Sequence, residues 1–183
     1  MPSAPQSLED RLAALEGRVQ RIEAEQDIQR LLASYGPCVD AADALRAAEL
    51  WWEEGSYDVE GWRMQSRDDV REMVASPGHR ELVGGGCCHF LGPAVVTVDG
   101  DEAVAVCESL VLLRAPQAAT DRVDSAAWRN SPSEYVVWRA TANHFHLRRV
   151  DGEWRISART SRLLNGEPAA HGLLTAGVAG RAM

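Results

Sequence analysis

A change of rhythm at Gly84-Gly85-Gly86 narrows what this chain can fold into more than any other feature. Before it, apolar residues recur at helical steps of three and four; after it they alternate with a period of two. Residues 88–98, 103–114, 134–149 and 153–163 read as four long strands. Asp99-Gly100-Asp101 and Asp151-Gly152 are the hairpin signals that join them in pairs. Helices first and a meander afterwards imply an α+β fold, with the helices segregated to one face of an antiparallel sheet. At 183 residues and 45% hydrophobic, the chain suffices for one domain with a real core.

Ser7-Leu8-Glu9-Asp10 is a capping signal, and Leu8, Leu12, Leu15, Val19 and Ile22 follow as a narrow stripe close to a heptad seam. Such a helix packs on its own domain or on a partner subunit. A second helix is expected from about Asp27, bent at Gly36-Pro37. A third carries Leu45, Ala48, Leu50, Trp51 and Trp52 and ends near Gly55, before a short strand at Tyr57-Asp58-Val59. Ser66 caps a further helix with Asp68 and Asp69 in its first turn. Residues 115–133 lack periodicity and read as a long excursion that could form a lid or rim. Beyond Gly166 the chain offers one weak helical turn, Ala169–Leu174, and a mobile Gly/Ala end. The resulting division is residues 1–26 as an oligomerising helix, 27–166 as the domain, and 167–183 as a flexible tail.

Composition excludes several functions. A net charge of −8 opposes the clustered basic face that nucleic acid requires. All 19 cationic side chains are arginine, so lysine Schiff bases and lysine-anchored pyridoxal phosphate are excluded. No basic leader precedes an apolar run and no stretch is long enough to span a bilayer, so a soluble, cytoplasmic protein without a membrane partner is expected. Cys38, Cys87, Cys88 and Cys107 match no zinc-site spacing and are expected to be free, buried thiols.

The helices-then-meander order, together with several local strings, resembles the SnoaL-like branch of the nuclear-transport-factor-2-like superfamily over roughly residues 25–165. That resemblance implies a cone-shaped, cystatin-like fold around an apolar pocket. Within the branch the chain looks most like scytalone dehydratase and bile-acid 7α-dehydratase, which remove water from cyclic substrates with an Asp–His pair and no metal. Asp40, in Val39-Asp40-Ala41-Ala42-Asp43, matches the family's helix-end aspartate, and His89, in His89-Phe90-Leu91-Gly92, matches its catalytic histidine. Thr141-Ala142-Asn143 is similar to a Ser-Ala-Asn string that lines the pocket of scytalone dehydratase. Tyr35 is placed like the active-site tyrosine of the bile-acid enzyme, and Arg159 resembles its pocket arginine. Where scytalone dehydratase has a second histidine this chain has Cys107, and Val39 replaces the tyrosine beside the aspartate. A related but different reaction is therefore expected.

The implied chemistry is cofactor-independent. His89 would take up and return a proton, Asp40 would hold its tautomer, and Asn143 and Tyr35 would donate to a developing oxyanion. Tyr57, Trp62, Phe90, Cys107, Thr141, Phe145 and Arg159 would contact substrate, with Trp51, Leu110 and Trp138 as further walls. Asp43 reads as a helix cap or a solvated carboxylate. Period-two alternation sends His144 and His146 away from the pocket, and two imidazoles on one strand lack a third ligand, so no metal site is expected. Cys87-Cys88 reads as an inert pair. Arg148, Arg149, Arg155 and Arg162 form a cationic surface. The function expected is a lyase of the dehydratase type acting on a hydrophobic cyclic or aromatic compound. An isomerase or polyketide cyclase using the same pair is the alternative, and a non-catalytic binding module the competing class. A homo-oligomer, trimer or dimer, is expected from the first helix.

Overall fold

The computed structural model describes residues 7–115 and 134–183, so the excursion expected after Ala115 lies outside the described residues. Helix α1 runs unbroken from Leu8 to Asp40, where the sequence suggested two helices meeting near Asp27. Ser7 closes a capping box with Asp10, each satisfying the other's backbone N–H at 3.1–3.2 Å. Pro37 sits in the last turn, where it removes a single donor and the helix carries through. Ala24, Ile28, Leu32, Tyr35 and Val39 form the buried face at helical spacing. Asp43 caps the short α2 (Ala44–Glu49) through the Arg46 N–H, the first of the two roles expected of it.

Trp51 and Trp52 are not helical. They begin β1 (Trp51–Val59), in keeping with the strand preference of large aromatics, and β2 (Trp62–Met64) folds back beside it. The helical region after Ser66 divides at Ser76-Pro77 into α3 (Arg67–Ala75) and α4 (Pro77–Gly84). The strand expected over 88–98 is interrupted at Gly92-Pro93, since proline cannot donate to a ladder. It becomes β3 (Cys87–Leu91) and β4 (Val95–Asp99), both paired to β5 (Glu102–Arg114) at different heights. The strands β6 (Tyr135–Val150) and β7 (Glu153–Leu163) complete a seven-stranded sheet in the order β2-β1-β7-β6-β5-β3, with β4 off the path beside β5.

The sheet is mixed. All ladders are antiparallel except β1 on β7, which is parallel. The main core lies between the sheet and α1, built around Ile28, Val39, Trp51, Phe145, Leu147 and Ile156. Helices cover both faces, contrary to the one-sided arrangement expected. The residues past Gly166 form α5 (Pro168–Val178), which packs Ala170 and Leu173 against Ala142 on the opposite side. A side-chain carbon on Gly177 would stand 2.3 Å from Val106 Cβ, so α5 lies almost directly on β5. His144 Nε2 pairs with the Arg181 carbonyl at 2.9 Å, and the Met183 N–H donates to His146 Nε2 at 3.2 Å, so the end of the chain is docked rather than trailing.

Candidate active site

The end of α1 is pressed onto the start of β3 by a missing side chain. A Cβ on Gly36 would lie 2.1 Å from the His89 carbonyl oxygen, a distance only glycine permits. This contact delivers Asp40, four residues further along the helix, to the backbone and ring of His89 together. Asp40 Oδ2 accepts the His89 backbone N–H at 2.7 Å, and Asp40 Oδ1 pairs with Nδ1 of the ring at 2.6 Å. The carboxylate therefore fixes the Nδ1–H tautomer and leaves Nε2 with its lone pair. His89 lines a cavity of about 340 Å³, within the range of small-molecule sites, and Asp40 stands behind the ring.

On the far wall the buried Arg159 is stacked between aromatic rings. Its guanidinium carbon is 4.4 Å from the ring centroids of both Tyr35 and Tyr57 and 5.2 Å from that of Phe145. Nε and Nη2 donate to Asn143 Oδ1 at 3.2 and 2.8 Å, while Nη1 is buried with no hydrogen-bond partner. The other arginines of this hairpin each reach a carboxylate: Arg139 to Glu60, Arg148 to Glu102, Arg149 to Asp101, Arg155 to Glu153, and Arg162 to Asp58. Arg159 pairs with none among the described residues. A buried cation stacked on π faces and lacking a counter-ion favours an electron-rich ligand group. Burial holds the Tyr35 hydroxyl above its ordinary pKa, outweighing the pull of the Arg159 charge, so Tyr35 remains a phenol and a proton donor.

Beneath these groups lies a closed polar network. Asn143 donates to Ser109 Oγ at 2.9 Å and to Thr141 Oγ1 at 3.2 Å, and it accepts from Ser161 Oγ at 2.6 Å. Ser109 and Thr141 join at 2.8 Å. Asn143 itself is fully buried and forms no part of the cavity wall, so it supports Arg159 and the hydroxyls instead of meeting substrate as expected.

Tyr35, Tyr57, Trp62, His89, Thr141 and Arg159 all line the cavity, as do Leu110 and Trp138. Besides Asn143, four residues expected there do not. Phe90 follows His89 on β3 and so faces outward, 56% exposed. Cys107 and Phe145 are packed into the core beneath the wall, as is Trp51. Alternation along β6 does turn His144 and His146 away, toward α5.

Several wall residues escaped the sequence reading. Ser109 and Ser161 sit opposite Thr141 and Asn143 across the ladders, and period-two counting along β5 and β7 would have found them. His79 on α4 also lines the cavity, with its ring centroid 6.0 Å from that of His89 and its Nε2 on the Val39 carbonyl at 3.0 Å. No local pattern marks it, because a helix of eight residues brings it in from outside the sheet.

Among the described residues one trio, Asp40, Cys87 and His89, places its donor atoms within 4.8 Å of one another. The donor set suits a metal poorly. His89 Nδ1 is already committed to Asp40, and burial raises the Cys87 thiol to about 11, leaving it protonated at neutral pH. Cys87 and Cys88 are half-buried rather than buried, with Cys87 Sγ 3.7 Å from His89 Nδ1; all four cysteines are free.

Residues 20–160 match the SnoaL-like domain family. The chain belongs to that family. Its fold is shared with an NTF2-like, cystatin-fold protein from Novosphingobium aromaticivorans, with 34% identity, a TM-score of 0.77, and coverage of 93% of this chain and 99% of that one. A hexachlorocyclohexane dehydrochlorinase of the third LinA type from Novosphingobium barchaimii is 17% identical with a TM-score of 0.62, over 80% of this chain and 90% of that one. A putative scytalone dehydratase from Novosphingobium aromaticivorans is 17% identical with a TM-score of 0.57, over 78% and 85% of the two chains. No curated protein is a sequence match to this SnoaL-like chain. No helix among the described residues is long and apolar enough to cross a membrane.

Proposed function

We propose that this SnoaL-like chain is a cofactor-independent lyase of the dehydratase type, acting on a hydrophobic cyclic molecule through His89 and Asp40. The observation that carries the reading is the two-point grip of Asp40 on His89, which leaves Nε2 as a base at the wall of a ligand-sized cavity. Nε2 takes a proton from a ring carbon next to an activating group, and the electron pair of that C–H bond becomes the new C=C bond as the C–O bond breaks. The departing hydroxide leaves as water, taking its proton from the Tyr35 phenol or the His89 imidazolium. The Arg159 cation and its free Nη1 stabilise the negative charge that develops on the leaving oxygen or on a neighbouring carbonyl. A wall carrying Leu91, Leu110, Val111 and Trp138 keeps the dielectric low and strengthens these interactions.

The naming of solved neighbours as a dehydrochlorinase and a putative scytalone dehydratase supports elimination over other uses of the same pair. The test is turnover of a panel of hydrophobic cyclic β-hydroxy carbonyl compounds, followed by the absorbance of the conjugated product and by loss of the mass of water. Product formation that vanishes in His89→Ala supports the reading. Equal turnover by the parent, His89→Ala and Asp40→Asn sinks it, and a product of unchanged mass would point to isomerisation.

A further inference from the structure

The amino-terminal half of α1 carries an apolar face that the domain does not use. Leu8, Leu12, Leu15, Val19 and Ile22 are between 51% and 80% exposed, although each is a large aliphatic residue. At about 100° per residue they lie on one side of the helix, opposite the residues that meet the domain. That inner side is marked by Gly17, Gln20, Arg21, Ala24 and Asp27, which border a cleft against the Val98–Asp101 turn with the exposed Glu23 at its rim, and by the buried Ala24 and Ile28. The body of the protein thus holds α1 by one face and presents the other outward.

The spacing of this outward stripe is that of a heptad seam, with Leu12 and Val19 at a and Leu8, Leu15 and Ile22 at d. The flanking charges choose an orientation. The e positions are Glu9, Glu16, Glu23 and Arg30, and the g positions are Arg11, Arg18 and Glu25. In a parallel pair each g residue meets the e residue five places on in the partner, which matches Arg11 with Glu16, Arg18 with Glu23 and Glu25 with Arg30. All three pairs are opposite in sign, and the sign reverses at the third without breaking the match. An antiparallel pair would set Glu16 against Glu16. None of these six residues forms a salt bridge within its own chain among the described residues, so their charges are available. The seam ends after Ile22, where Gln26 and Gln29 take the next two positions and Gln29 turns to the domain, donating to the Ala94 carbonyl at 3.4 Å.

We infer that two copies of this chain associate through a parallel two-stranded coiled coil formed by the amino-terminal half of α1, its apolar seam running from Leu8 to Ile22. The segment is short for a free-standing coiled coil, but its helix is continuous with the packed half of α1 and so is nucleated before association. The inference does not depend on the catalytic reading.

Sedimentation equilibrium of the full chain tests it alongside two charge variants. Arg11→Glu with Arg18→Glu makes both flanks acidic over the first heptads, and Glu16→Arg with Glu23→Arg makes them basic. The parent should sediment at twice the mass of either variant, each variant alone should associate at least about tenfold more weakly, and an equimolar mixture should recover the parent mass. The substituted positions are exposed, so unchanged circular dichroism is the check that each variant folds. In a separate variant, Leu8→Cys should give an oxidised dimer absent from the parent, because a parallel seam sets the two copies of position 8 side by side. A monomeric parent overturns the inference. Association unchanged by either charge variant, a trimeric mass, or no Leu8→Cys cross-link does the same.

Discussion

Gly36 and His89 meet backbone to backbone: the helix of one and the strand of the other are so close that a methyl group on Gly36 would stand 2.1 Å from the His89 carbonyl oxygen. Gly36→Ala improves intrinsic helix propensity by up to about 1 kcal/mol, yet it forces α1 away from β3. Overpacking of this kind costs about 1–3 kcal/mol, so the net effect is a loss of stability, read as a melting temperature several degrees lower. The same displacement lengthens both contacts of Asp40, so activity should fall further than stability does. A Gly36→Ala protein with parental melting and parental turnover would contradict the close approach.

The catalytic proposal has a sharper signature. Asp40→Asn keeps the size and much of the hydrogen bonding of the side chain but removes the charge that stabilises an imidazolium, and His89→Ala removes the base. Each should lower kcat by about 10²- to 10⁴-fold with the fold intact, measured by steady-state kinetics beside circular dichroism.

Asn143 is the hinge of the buried polar network rather than a substrate contact. Asn143→Ala leaves Nε and Nη2 of Arg159 without their acceptor, together with the Ser161 hydroxyl. Stranding donors of a buried cation should cost about 2–3 kcal/mol, seen as a lower denaturant midpoint. Asn143→Asp offers the missing counter-charge and should recover part of that stability while weakening any anionic ligand.

How far such groups could be read from the sequence depended on whether their cause was local. Asp40 and His89 sit in short strings that carry a family likeness, and Ser7, Asp43 and Ser66 announce caps through the three or four residues that follow them. Trp51 and Trp52 misled because Leu45, Ala48 and Leu50 lead into them at helical spacing; pairing of Trp51 with Ile156, more than a hundred residues away, decides that they are extended. The end of the chain misled for the same reason. Ala169–Leu174 is weakly helical alone, and it becomes an 11-residue helix by lying on β5 and β6. His79 could not be seen at all, since its neighbourhood exists only after α4 docks. Phe90 failed where the rule was available, for alternation from His89 places it outside; Cys107 shares the pocket-side face of β5 with Ser109, and only its depth in the core keeps it from the cavity.

Two acid-sensitive contacts follow from charge. Hydrogen bonding to Arg162, with lesser help from the Gly61 N–H and Arg63, lowers the Asp58 carboxyl to about 2 against burial, which pushes it up. In the unfolded chain it titrates near 3.9. The unfolded state therefore binds the proton first, and the stability this group contributes is complete above about pH 4 and lost as pH falls toward 2. Asp58→Asn should flatten that part of a stability profile measured by urea unfolding.

Two strands away, on β6, burial lowers the His146 pKa, assisted by His144 and opposed by Glu102. The neutral ring is the form that accepts the Met183 N–H. Protonation therefore favours the undocked end, and the stability from this contact is lost as pH drops below about 6.5 through the depressed folded value. Amide exchange of residues 176–183 should speed up more at pH 5 than in the rest of α5, and His146→Gln should remove the difference.

The parallel pairing of β1 with β7 also dictates the order in which the protein can be completed during synthesis. Tyr57 and Arg159 face each other across that ladder, and β7 is the last strand to leave the ribosome. Until then β1, paired with β2 on one side, has no strand on the other, and Trp51 and Tyr57 lie along that open edge. A nascent chain stalled before Glu153 would have its histidine and aspartate but only part of its pocket, and would be a natural client for a chaperone.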